Sequence, residues 1–117
     1  MDERTAAFFE DVGASIDVFV ADLTSGLADP ASRSDEERVR FVTLASAVAT
    51  TEQRQALQSA TRAALVGLAD SIMVTLDGGT AYSNHGAPTL LHPDGTPFPD
   101  GLHEGLVEYL DATGRLV

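Results

Sequence analysis

The chain reads as a mostly α protein, a compact bundle of about four helices with a short β-hairpin or ordered loop before the last. Three observations predict this. Apolar residues recur every three or four positions through most of the 117 residues, which is the period of one helix face. Capping residues bracket those stretches. Four of the five prolines fall between Gly78 and Pro99, where the periodicity lapses. The length suits a single helical domain over 1–117.

The first helix is expected at about 5–27. Phe8, Val12, Ile16, Phe19, Leu23 and Leu27 form its apolar face, with Glu3, Glu10 and Asp17 on one flank of the other side and Asp11 and Asp22 on the second. Gly13 is a weak point within it, and Gly26 with Asp29-Pro30 supplies the stop. Ser34-Asp35-Glu36-Glu37 is a capping box that starts a second helix at about 35–49, with Phe41, Val42, Leu44, Ala45, Val48 and Ala49 as its apolar side. Thr50-Thr51-Glu52-Gln53 can form another box and start a third helix at about 51–76.

In that third helix Leu57, Ala64, Leu65, Leu68, Ile72 and Leu76 share a face, while Val66, Met73 and Val74 point elsewhere. A helix apolar on most sides reads as central and buried. Residues 70–76 also fit a short buried strand, although Gly78-Gly79 favours a helix with a glycine cap. Over 78–99 the chain is an irregular or hairpin insert. Pro93-Asp94-Gly95 is turn chemistry, and Thr89-Leu90-Leu91 and Thr96-Pro97-Phe98 can flank it as a hairpin, confined by the prolines to an edge. The last helix is expected at 100–113, capped by Asp100 and stopped by Gly114. Leu102, Leu106, Val107, Tyr109 and Leu110 line one side of it, and Glu104, Glu108 and Asp111 the other.

Composition narrows the function. With no cysteine there are no disulfides, zinc-thiolate sites or thiol nucleophiles. No stretch reaches the roughly 20 uninterrupted apolar residues of a membrane helix. Met1-Asp2-Glu3-Arg4 has neither the basic start nor the apolar run of a secretion signal, so the expected location is cytoplasmic. The net charge is −11, and all seven basic residues are arginine. Such a chain repels phosphate backbones and anionic membranes, which argues against nucleic acid and membrane partners and for a basic protein. The imbalance is local: residues 1–29 hold seven acids and one arginine, residues 77–117 hold six acids and one arginine, and the middle balances.

Candidate chemistry is sparse. His85, His92 and His103 lie in the last third with Asp77, Asp94 and Glu104, but no His-x-x-x-His or His-Glu-x-x-His spacing joins them, so no metal and no cofactor is expected. His103, between Val107 and Leu110 on the apolar side of its helix, reads as half-buried and bonded to backbone. Asp77-Gly78-Gly79-Thr80 reads as a helix stop rather than a phosphate loop, since no lysine follows. Ser71, Ser83, Asp77 and His85 are near in sequence without a Gly-x-Ser-x-Gly elbow. Tyr82-Ser83-Asn84-His85-Gly86 is a polar, aromatic loop of the kind that carries function.

The resulting expectation is a small acidic, non-catalytic protein-binding module, for instance an immunity-type inhibitor of a basic protein. Asp11, Asp17, Asp22, Glu104 and Glu108 would make the contact, with Tyr82 and His85 on the loop beside them. Two other readings stand: a self-associating helical protein (a homodimer) using whichever of Phe8 and Phe9 the core leaves over, and a small enzyme using the histidines and carboxylates of the last third.

Overall fold

A computed structural model describes residues 1–86 and 88–116. The chain is mostly helical, with α1 at Glu3–Ala28, α2 at Asp35–Ala47, α3 at Thr51–Leu76 and α4 at Leu102–Ala112, and single 3-10 turns at Pro30–Ser32 and Ala81–His85. The segment 70–76 is the last part of α3, not a strand. It ends in a glycine cap, where Gly78 N–H donates to Thr75 and Gly79 N–H to Val74 (3.1 and 2.9 Å) while Gly78 takes the left-handed conformation.

The helix starts are local chemistry. Asp2 caps α1 by accepting from both the backbone and the hydroxyl of Thr5 (2.9 and 2.6 Å), so the helix begins before the expected Thr5. Thr50 and Gln53 form both halves of the capping box of α3. At α2, Ser34 accepts from Glu37 N–H. The start expected at Asp100 is corrected. Helix α4 begins at Leu102, and its cap comes from Asp77, 25 residues away in sequence.

Of the two forms expected for the insert, a hairpin or an ordered loop, the hairpin is not seen. Among the described residues no strand forms, and the insert holds a single antiparallel bridge, Leu91 to Pro97. Its turn is as expected, with Gly95 N–H donating to His92 and Asp94 accepting from Thr96. The bridge is closed by His92 N–H donating to Thr96 and Phe98 N–H to Leu90 (2.8 and 3.0 Å), and pairing stops toward the turn because Thr96 N–H donates to Asp94 instead.

The expected stop at Asp29-Pro30 holds, with Asp29 as the C-cap of α1, whereas Gly26 and Gly13 are contacts. Gly26 does not end α1. The helix runs on to Ala28, and a side chain at Gly26 would collide with the Phe41 ring, which is how α2 lies against α1. At Gly13 a Cβ would stand 3.0 Å from Arg115 Cδ, so this glycine lets Arg115 cross α1 closely.

The core is at one end. Phe9, Ile16, Met73, Leu102, Leu106 and Leu110 form it, drawn from α1, α3 and α4. Phe9 is 1% exposed, and Phe8 packs edge-on against Phe98, so neither is left over. The bundle is not compact. Its radius of gyration is 17.5 Å and its extents are 48 × 31 × 24 Å, whereas a globule of this length has a radius near ~13 Å. Two 26-residue helices, α1 and α3, each span about 39 Å, and α4 covers only one end of the pair. Helix α2 buries no residue fully.

Helix α3 is therefore not central. Of its residues only Met73 is buried, and Leu68 and Ile72 are 60% and 50% exposed. An 18-residue window within Thr51–His85 has a mean hydropathy of 1.2 with 6% of it buried, so by length and composition α3 is apolar enough to cross a membrane. Helices covered by protein share that property.

Candidate protein-binding surface

The two acidic segments are neighbours, because α1 and α4 pack together, and their seam is filled by arginine. Arg115 lies over Gly13 and donates to both Glu10 oxygens (2.7 and 2.9 Å) and to Asp17 (2.9 Å). Arg62 of α3 reaches the other Asp17 oxygen at 2.8 Å. Tyr109 donates to Glu10 at 2.6 Å. The bonds from Arg115 and Tyr109 hold the Glu10 carboxyl at about 2, well below the usual range. Burial opposes ionisation of Asp17, but the two arginines outweigh it and hold its carboxyl low. Bound to Glu10, the Tyr109 hydroxyl is harder to ionise than usual.

Of the residues expected at a contact, Asp17 thus faces an internal clasp. Asp22 pairs with Arg33 at 2.6 Å. Asp11 is exposed at the edge of α1, and its carboxylate has no arginine partner among the described residues. Glu104 and Glu108 are exposed on α4, with only the His103 ring near Glu104, at 3.7 Å. Together with Asp100 they rim an open hollow of about 300 Å³ between α4 and the start of α1, floored by Thr5, Phe9 and Leu102. Tyr82 and His85 are exposed side by side in the 3-10 turn, with ring centroids 6.1 Å apart.

The three histidines have three settings, and no hydrogen bond or ring contact joins them among the described residues. His85 is exposed. His92 is buried and stacked on Phe98 at 3.8 Å. His103 is half-buried as expected, but its ring bonds to the Asp77 carboxylate rather than to backbone. That carboxylate also accepts from Leu102 and His103 N–H (2.9 and 3.0 Å). It serves as a cap for α4 where Gly101 has no side chain to offer. Burial opposes its charge, yet the His103 N–H and ring and the Leu102 N–H hold its carboxyl low, and the His103 ring is correspondingly easier to protonate.

One surface feature was not expected. Between Gln55 and Leu76 the only charged residues are Arg62 and Asp70, and both sit away from the open side of α3. Arg62 bonds to Asp17, and Asp70 lies toward His103 with one carboxylate oxygen buried. The exposed side is Ala56, Ala60, Ala64, Gly67, Leu68, Ser71 and Ile72. Beside it, Val12, Ile16 and Phe19 of α1 meet Leu65, Leu68 and Ile72 in an apolar groove of about 290 Å³. Phe19 is 64% exposed. The signal was present in the sequence as a charge-poor run, masked by the assumption that an apolar helix is covered.

Among the described residues, fold and surface define a helical protein of four α-helices whose longest pair is covered on one side only. The chain matches no protein-family model, no curated protein and no solved structure.

Proposed function

We propose that the chain is a non-catalytic protein-binding module that receives a basic partner on its α4 end. The observation that carries this reading is the hollow rimmed by Asp100, Glu104 and Glu108. Five of the seven arginines are paired with acids elsewhere, as Arg4–Asp94, Arg33–Asp22, Arg38–Asp35, Arg62–Asp17 and Arg115–Glu10. Glu104 has only the His103 ring beside it, at 3.7 Å, and Glu104 and Glu108, four apart on one helix, repel each other modestly. A guanidinium or ammonium seated between them relieves that repulsion, and the Met1 and Pro99 side chains that also line the hollow can take its methylene stem. An immunity-type inhibitor covering a basic enzyme is one concrete form. Two histidines already have structural partners, His92 in Phe98 and His103 in Asp77, which weakens the enzymatic alternative.

The test is capture from native lysate across a salt series. Exposed charges are screened by salt, so the captured partner should elute as salt rises, and the Glu104→Gln/Glu108→Gln variant should retain less of it at low salt. Capture indifferent to both salt and the double substitution would overturn the reading.

A further inference from the structure

We infer that the open face of α1 and α3 is covered by a second copy of this chain, giving a two-fold dimer with a four-helix interior. The inference rests on the apolar surface and stands apart from the α4 reading.

Three observations lead to it. The first is area. The chain exposes 7295 Å², whereas a monomer of 12.3 kDa exposes about 6,100 Å². The excess, about 1,200 Å² over the whole chain, goes with its 48 Å length and is larger than the roughly 800 Å² each partner loses in a standard interface. The second is charge. Two copies at −11 each repel across most orientations, but the outward side of α3 from Gln55 to Leu76 carries no ionisable group. On α3 this leaves a broad surface without like charges to oppose, the exposed carboxylates of the face being Asp11 and Asp22 on its α1 edge, Asp22 paired with Arg33, and charge depletion marks interface cores.

The third is shape. Phe19, Leu68 and Ile72 stand out from the face, while Ala60, Ala64 and Gly67 beside them are small. Around Gly67 an added Cβ meets nothing within 4 Å. A two-fold axis places the same patch on both sides of the contact, so each copy offers bulky side chains and the hollows that receive them. Two helix pairs laid face to face make a four-helix bundle, the arrangement in which apolar seams of this kind are covered. An unrelated partner explains the exposed groove equally well but gives no reason for a patch that carries both protrusions and recesses.

Salt separates this contact from the α4 one. Screening weakens the repulsion between two acidic chains, so the dimer tightens with salt while binding of a basic partner loosens. The experiment is sedimentation equilibrium of the full chain at about 100 μM, where a dimer of micromolar affinity holds roughly nine-tenths of the chains, at low and high salt. The expected mass is twice that of the chain, unchanged or higher in dimer fraction at high salt. Leu68→Glu, at a position outside the core, should give single chains with unaltered helical circular dichroism. Ala64→Arg, a good helix former at an exposed site, should do the same if Leu68→Glu misfolds. Glu104→Gln/Glu108→Gln should remain dimeric. A wild-type mass of one chain, or a dimer that survives both face substitutions, overturns the inference. Either outcome leaves the α4 capture experiment to be read independently.

Discussion

Replacing Asp77 should loosen α4 from the body of the protein and change how stability depends on pH. The side chain is 14% exposed and accepts from Leu102 N–H, His103 N–H and the His103 ring. Helix α4 contributes Leu102, Leu106 and Leu110 to the core, so its first turn is tied to packing. Loss of a capping side chain costs roughly 0.5–2 kcal/mol, and two half-buried N–H groups left without a partner add to that. For Asp77→Ala we expect about 2 kcal/mol, which for a domain of this size corresponds to a fall of about 8 °C in Tm. Asp77→Asn keeps an acceptor and should cost about half as much, roughly 1 kcal/mol.

The pH signs follow from the two shifts. The Asp77 carboxyl is held low, so its stabilisation is present above its unfolded value of about 3.9 and is lost as pH falls through the lower folded value. The His103 ring is raised, chiefly by its bond to Asp77. Its stabilisation is complete below about 6.5 and is lost as pH climbs through the raised folded value. Wild type should therefore be most stable from about pH 5 to 6.5 with respect to this pair, and should lose stability on the alkaline side. Thermal unfolding followed by far-ultraviolet circular dichroism at mildly acidic and mildly alkaline pH measures both effects. An Asp77→Ala protein with wild-type Tm, or an Asp77→Asn protein with the same alkaline decline as wild type, would refute the reasoning.

Other substitutions probe other contacts. Gly26→Ala should drive the Phe41 ring away and release α2, at a cost of about 1–3 kcal/mol as for other overpacked sites; hydrogen exchange should show α2 amides losing protection while those of α4 do not. Phe9→Ala should cost about 3–5 kcal/mol, read by denaturant titration as a lower unfolding midpoint. Glu10→Gln removes the carboxylate that makes Tyr109 harder to ionise, so an ultraviolet titration should find Tyr109 ionising at a lower pH than in wild type.

The helices were legible because their signals are local. The Thr50–Gln53 box, the Gly78–Gly79 cap and the three-and-four spacing in α1 are each decided within a few residues. What could not be read depends on residues distant in sequence. Asp100 is a good cap by type, yet Asp77 takes the role because the end of α3 lies against the start of α4. Gly26 has the composition of a stop and instead makes room for Phe41. Asp17 and Glu10 look like solvated acids until Arg115, about a hundred residues on, is folded across Gly13. The α4 carboxylates of the candidate site were foreseen as exposed. The apolar face of α3 was visible as composition and misassigned as core, since periodicity reports which residues avoid water but not what covers them.

Because the chain has no cysteine, a single thiol placed by Ala64→Cys reports directly on whether the open side of α3 meets solvent. Its rate of maleimide labelling, with Glu108→Cys on α4 as reference, is the measurement to make on the purified protein at high concentration. A covered face predicts labelling at least about tenfold slower at position 64, as mass action requires when most chains are associated, and a return to the reference rate when Leu68→Glu is added. Equal rates at the two positions in otherwise wild-type protein would mean that the face is bare, contradicting the dimer.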